Sequence, residues 1–482
     1  MTATSPAPAT GAPGTGTAQG AARSGLLIVA VLCFGGLTAS LTQTMVIPIQ
    51  GELGRLLHTS EANASWVVTA TLVAAAVAMP IAGRLADLHG KQRVLVVSAL
   101  VLVVGSLVCA LSGSLAPMLV GRLLQGCAMG FVPVGIALLR EVTPPRLTAT
   151  AMAAMSATLG VGGAVGLPLS AWIVQDFSWH TLFWVSTGLA AVVALAVVLL
   201  VPHVRDAEPG GFDLLGAVGL GVGLVALLVA VSKGNEWGWG DGRTLGLLVA
   251  AVLVLLAWGG YELRTPDPLC DLRTTARRPV LLTNLAAVAI GFGMMAQAIV
   301  IPRLLQSPAA TGYGLGQSLL ETGLWMAPGG LVMMVFSPVS GRLIRAIGAR
   351  ATLMIGGAVL GLGYLFALVL MDAAWQMMIA TCITSAGVGI GYAAMPTLIL
   401  ESVPLAEAGS AVGINGLVRS IGTSVSSAAM AAILTASTLD LGGYALPTEK
   451  AFAICFGVGA AAAFVGVLLA AAVPRRRDAV PL

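Results

Sequence analysis

The sequence predicts an all-α membrane protein with fourteen transmembrane helices, arranged as two pseudo-symmetric six-helix bundles with a two-helix insertion. Three observations lead there. Of 482 residues, 57% are hydrophobic and only 9% are charged, too few charges to cover the core that a water-soluble fold would need. Apolar runs of roughly 18 to 26 residues, long enough to cross about 30 Å at about 1.5 Å per residue, recur along the whole chain. Two short motifs also return in the second half, at matching places in a six-span block.

The opening "MTATSPAPATGAPGTGTAQGAA" is uncharged and rich in Ala, Gly, Pro and Thr, so residues 1–25 read as a disordered cytoplasmic tail. A single Arg23 precedes an apolar run too long for a signal-peptide core. An N-terminal bundle over 26–202 then holds spans 26–49, 64–83, 94–113, 115–139, 150–174 and 181–201. Residues 203–279 form the insert, with spans 214–232 and 244–261 joined by "SKGNEWGWGDGR", whose Trp237 and Trp239 suit a membrane interface. With few polar side chains, the insert is expected to pack peripherally, outside any transport path. The link "RTPDPLCDLRTTARRP" (264–279) leads to a C-terminal bundle over 280–473, with spans 280–301, 319–341, 351–371, 374–399, 408–436 and 451–473. A cytoplasmic tail, 474–482, closes the chain.

Seventeen Lys and Arg residues fall in one set of loops and five, Arg55, Lys233, Arg243, Arg303 and Lys450, in the other. The positive-inside bias puts both termini in the cytoplasm. The net charge of +4 is therefore topological and not a nucleic-acid footprint. Six cysteines lie far apart with no CxxC and no Cys/His cluster, against disulfides and metal sites. Four histidines in separate loops show no HExxH spacing, and there is no P-loop, so neither a membrane-embedded enzyme nor an ATP-driven pump is supported. No cofactor is expected, and no ring of repeated polar residues suggests a passive channel.

"PIAGRLADLHG" (80–90) and "PVSGRLIRAIG" (338–348) share Pro, Gly, Arg, Leu and a final Gly, each between the second and third spans of its block. "LLREVTP" (138–144) and "LILESVP" (398–404) pair Glu141 with Glu401 at the end of each block's fourth span. Parallel six-span halves related by an axis along the membrane normal are the architecture of a rocking transporter with a central cavity.

In "GRLADLHGKQR" (83–93), Gly83 permits close helix approach, and Asp87 can pair with a base or cap a helix N-terminus. The stretch resembles the signature loop of the major facilitator superfamily at Gly83, Asp87, Gly90 and Arg93, while Leu88 and Gln92 stand where bases are expected. The resemblance implies that Asp87 and Arg93 latch the two halves on the cytoplasmic side. "GRLLQG" (121–126) sets an arginine inside the fourth span, where a charge is expensive and usually functional. It resembles a motif of drug:proton antiporters, which implies a link to proton movement for Arg122, beside Gln125 and Gly126; snorkelling to the outer surface is the alternative. "GVGGAVGLPLSAW" (160–172) brings Gly162, Gly166 and Pro168 to a helix-packing face and resembles, imperfectly, the fifth-span motif of exporters. "NGLVRSIGTS" (415–424) resembles the eleventh core span of the same fourteen-spanner antiporter group, with Asn415 and Arg419 on one helix face. The resemblance covers about residues 26 to 473.

That group carries an Asp in the first span, where this chain has Leu41-Thr42-Gln43-Thr44, and no Asp or Glu falls near a bilayer midplane. A weakly polar pocket is expected from Thr42, Gln43, Met45, Gln125, Met294, Gln297, Met326, Asn415 and Arg419, suited to a bulky, mostly apolar substrate, neutral or anionic; each methionine serves equally as core filler. Because arginine does not titrate, proton coupling falls on rim acids: Asp87, Glu141 and a partly buried Glu321. The reading is a monomeric plasma-membrane exporter of hydrophobic drugs or antibiotics, driven by proton exchange through alternating access. A metabolite uptake symporter is the alternative.

Overall fold

The computed structural model describes residues 15–47, 49, 52–203, 211–441 and 444–474. Among the described residues, fourteen helices are long and apolar enough to cross a membrane. The N-terminal six are α1 (Thr15–Thr44), α2 (Trp66–His89), α3 (Lys91–Ala110), α4 (Leu115–Val142), α5 (Pro145–Asp176) and α6 (His180–Leu200). The insert supplies α7 (Leu214–Trp237) and α8 (Gly242–Glu262). The remaining six are α9 (Arg278–Gln306), α10 (Leu319–Ile347), α11 (Ala349–Val369), α12 (Ala374–Ser402), α13 (Ala408–Ala436) and α14 (Glu449–Ala472). A short hairpin of β1 (Thr438–Leu441) and β2 (Tyr444–Pro447), paired antiparallel with Leu439 opposite Leu446, joins the last two helices.

Helix α1 begins at Thr15, so the expected disordered tail over 1–25 does not hold for its last eleven residues; residues 1–14 lie outside the described residues, as do 475–482 of the C-terminal tail. The second span runs on to His89 instead of ending near 83, with Asp87 of its last turns satisfied by the amides of another helix and not by water.

The C-terminal bundle is centred on one apolar cluster, while that of the N-terminal bundle continues across the boundary to Val280, Ile399, Leu400 and Val412. Phe452, Phe456, Tyr364 and Met377 anchor the C-terminal one, and Phe131, Leu138, Met155 and Val197 the N-terminal one. The fourth helix of each bundle is interrupted within its span. Helix α4 tightens into a 3-10 turn at Ala128–Gly130, and α12 interrupts at Tyr392 and Ala393. Pro133 and Pro396 follow these breaks, and a proline lacks the N–H that would bond the carbonyl four residues back, here Met129 and Tyr392.

The repeat read in the sequence is visible in the backbone. Gly90 (φ 95°, ψ 134°) and Gly348 (φ 85°, ψ 159°) are the single-residue links from α2 to α3 and from α10 to α11. Positive φ is strained for any residue with a Cβ, so a glycine stands at both. Gln92 donates from Nε2 to the Val201 carbonyl at 2.8 Å, past the end of α6, while its counterpart Arg350 donates from Nε to the Ala470 carbonyl at 3.3 Å near the end of α14. Both long polar side chains donate to carbonyls at the C-terminal end of a neighbouring helix.

The insert departs from the expected periphery. Helix α7 lies in the seam between α2 and α13, where Leu220, Leu224 and Leu228 pack with Val73, Ala76, Ile414 and Leu417 of both bundles. Asn235 donates to the Ala428 carbonyl at 2.9 Å. Buried Lys233 bonds Ser65 and Glu236, the latter at 2.8 Å, and lies over the Trp66 ring. Only α8 is peripheral, its Leu253 and Leu256 facing outward.

Candidate functional site

The face carrying most of the basic residues is where the two bundles are tied. Asp87 on α2, 3% exposed, accepts the backbone N–H of Gly409 at 3.0 Å and of Ser410 at 2.8 Å. These are first-turn amides of α13, which have no partner within their own helix and carry partial positive charge. One carboxylate of the N-terminal bundle therefore caps a helix of the C-terminal bundle. Glycine makes the approach possible: a Cβ on Gly409 would stand 2.6 Å from Asp87 Oδ1 and from the Gly83 carbonyl oxygen.

Lys91, across the Gly90 link, places Nζ 3.7 Å from Asp87 Oδ1 and 2.6 Å from Glu141 Oε1 on α4. Lys91 is thus the base of this cluster, a residue not singled out from sequence. Arg93, expected in that role, is exposed and takes part in none of the ion pairs found among the described residues. Lys91 and Arg93 are two positions apart, which at about 100° per residue puts them on opposite sides of α3.

The opposite pair of helices repeats the arrangement with different chemistry. Gly341 on α10 packs against Thr150 of α5, and Arg345, at the position equivalent to Asp87, donates from NH1 to Thr150 Oγ1 at 2.7 Å. Farther along the same helices, Gly160 meets Met333, and a Cβ on Gly323 would stand 3.8 Å from the Pro168 ring.

Arg122 is fully buried. Its Nε donates to the Val67 carbonyl at 3.1 Å, and NH1 donates to the Thr42 carbonyl at 3.3 Å and to Gln125 Oε1 at 2.7 Å. Gln125 passes the chain on to Ser106 Oγ at 3.0 Å, while Arg122 NH2 is left without a partner. The guanidinium thus pins α1, α2 and α4 together through neutral acceptors, and no snorkelling occurs.

The first-span polar cluster serves helix packing. Thr42 returns its hydroxyl to the Thr38 carbonyl at 2.8 Å, and Thr44 donates to the Gly162 carbonyl at 3.1 Å. A Cβ at Gly166 would collide with Thr44 Oγ1, so Gly162 and Gly166 form the seat for α1 on α5. Gln43 is half-buried. Met45 is 1% exposed and belongs to the core with Leu41 and Phe183, which removes it from a pocket lining.

In the C-terminal bundle, Gln297 bonds Thr384 and, at 3.4 Å, Ser385 of α12. Met294 and Met326 are half-buried against the bundle core. Asn415 donates to Asn284 Oδ1 of α9 at 2.9 Å, a helix-to-helix pair whose second member sequence reasoning missed. Arg419 lies over the ring of Tyr392, 4.5 Å from its centroid. Glu321 is exposed and locked in a capping box with Ser318, accepting the Ser318 N–H at 2.8 Å, so the expected partly buried proton carrier is absent there. The signal was readable: Ser318-Leu-Leu-Glu321 opens a helix with the S-x-x-E pattern. Among the described residues, no group of His, Cys, Asp and Glu could hold a metal ion.

Two six-helix bundles joined by an insert and clamped across one face are the architecture of a multi-pass membrane transporter. The chain belongs to the Major Facilitator Superfamily, whose sequence profile matches residues 32–427 and 283–481. It is 29% identical over 422 residues to the tetracenomycin C resistance and export protein of Streptomyces glaucescens, covering 86% of this chain and 76% of that one. It is 25% identical over 421 residues to the multidrug transporter protein MdtP of Bacillus subtilis (strain 168), covering 86% and 75%. The solved structure of the human organic anion transporter MFSD10 (TETRAN) superposes with a TM-score of 0.66 at 16% identity, over 92% of this chain and 99% of that one, a likeness of fold alone.

Proposed function

We propose that the protein exports hydrophobic drugs or antibiotics from the cytoplasm across the plasma membrane in exchange for protons, as a monomer whose bundles, 26–202 and 280–473, rock about a central path. Both termini face the cytoplasm, so the basic face is the inner gate. The observation that carries the reading is the single carboxylate of Asp87 holding the N-terminal amides of α13 across the bundle boundary. An ionised carboxylate accepts both amides, whereas a protonated one has a donor where an acceptor was needed. Protonation therefore loosens the inner gate. That is the sense an antiporter requires: a protonated carrier opens inward, gives up its proton, takes substrate and closes behind it. Lys91 and Glu141 extend the clamp to α4, and Glu141 offers a second rim acid for the inner proton exit.

The test is uptake of a panel of antibiotics and dyes into everted membrane vesicles energised by respiration. Accumulation that stops on adding a protonophore supports the reading. Accumulation that persists after gradient collapse, or that occurs only in right-side-out vesicles, overturns it, the latter in favour of an uptake symporter.

A further inference from the structure

The deepest charged side chain of the molecule is a cation with no acid to match it. Arg419 is the twelfth residue of α13, roughly 16 Å along the axis from the helix start at about 1.5 Å per residue. Every Asp and Glu assigned to a span sits near a span end, Asp87, Glu141, Asp176, Glu236, Glu262 and Glu401 toward the last turns and Glu321 and Glu449 in the first. Arg419 takes part in none of the ion pairs found among the described residues, and its one aromatic partner is the buried Tyr392 at the break of α12. Arg122, on α4, is fully buried and donates to two carbonyl oxygens and one amide oxygen; Arg419 is half-buried.

Helical phase says where that open flank points. Gly409, Gly413 and Gly416 form the stripe of α13 that packs on Gly83, Pro80 and Met79 of α2. Asn415 and Gly422 meet Asn284 and Val288 of α9, and Ile414 and Leu417 meet α7. Arg419 itself lies against Gly291 of α9, where a Cβ would stand 2.8 Å from its Cγ, and at about 100° per residue its position falls between the α9 and α2 stripes, on the side of the interval between the bundles. A permanent guanidinium at that depth is costly without a counter-charge. The Tyr392 ring compensates only part of it, and the planar fork matches a carboxylate in two parallel hydrogen bonds.

We propose that Arg419, stacked on Tyr392, is an anion-binding site at mid-membrane, and that the exported substrate is an amphiphilic acid with an aromatic body and one carboxylate or phenolate. This rests on the export reading. It assigns the polar end of the substrate to the C-terminal bundle and leaves the apolar body to the surfaces between the bundles.

Three probes of one shape separate the possibilities: anthracene-9-carboxylate, its methyl ester, and 9-(aminomethyl)anthracene. Each is measured for binding to the purified full-length protein in detergent and for gradient-driven movement in proteoliposomes. The acid should bind at least tenfold more tightly than the ester and more tightly than the amine. Arg419→Gln should remove that preference while ester binding stays within twofold of wild type, which reports that the variant is folded, and Arg419→Lys should restore part of it. Equal binding of acid and ester, a preference for the amine, or an acid preference that survives Arg419→Gln overturns the anion site while leaving export standing. Failure of wild-type proteoliposomes to move any probe against its gradient, with binding of the acid intact, refutes export for this class and leaves the binding site.

Discussion

Replacing Asp87 by Asn should open the basic face without unfolding the molecule. The carboxylate accepts two backbone amides across the bundle boundary, at 3.0 and 2.8 Å, with the Lys91 ammonium 3.7 Å away. The carboxamide oxygen keeps one amide, and its NH2 turns a donor toward the other, so one charge-assisted hydrogen bond is lost. Such a bond is worth about 1.5 to 3 kcal/mol, and an anion at a helix N-terminus adds about 0.3 to 1. A loss of about 2 to 4 kcal/mol shifts the closed-to-open ratio by roughly 30- to 1000-fold at 1.4 kcal/mol per decade. The assay is maleimide labelling of a cysteine placed at Ala411, 7% exposed on α13, against the six native cysteines as background. The Asp87→Asn protein should label at least tenfold faster than its Asp87 parent. Equal labelling rates in two samples of the same thermal stability would refute the assignment of Asp87 as the tie across this face.

Gly409→Ala should give the same open phenotype by sterics alone, since the new methyl would lie 2.6 Å from Asp87 Oδ1 and Gly83 O; labelling at 411 unchanged from wild type would contradict the close approach. Arg122→Ala takes the arginine donor from Gln125 Oε1 and from the Val67 and Thr42 carbonyls in a fully buried site, and should cost about 1 to 3 kcal/mol, read as a lowered melting temperature in detergent; an unshifted melting curve would show the site to be solvated. Glu321→Gln keeps the acceptor of an exposed capping box, so gradient-driven export should match wild type, and its abolition would return Glu321 to the coupling mechanism.

The spans were legible because apolar length is a direct physical requirement, and both parallel halves could be read from two echoes that the backbone matches at Gly90 and Gly348. The ends of spans were less so. "GRLADLH" looks like a link in isolation, yet its Asp87 is buried against α13, whose first-turn amides compensate the buried carboxylate. The choice between Lys91 and Arg93 was out of reach for a related reason: Gly90 breaks the helical phase, so spacing from Asp87 does not say which base turns inward. Thr42 and Thr44 drew attention as polar residues in a greasy run, but a threonine can return its hydroxyl to its own helix, as Thr42 does. The seam position of α7 was hidden because an apolar helix between two bundles has the same composition as one facing lipid. Tyr392 was hidden too, since a lone tyrosine carries no signal until Arg419 is seen above it.

The distance between spin labels at residues 147 and 405, exposed positions on the basic face, tests the account most directly, because one belongs to each bundle. In wild-type protein reconstituted in lipid, the distance distribution should be dominated by a short component, and Asp87→Asn should move population to a component longer by at least several ångströms. A single distance, unchanged by the substitution, by pH or by added substrate, would contradict two bundles that rock about a gate held by Asp87.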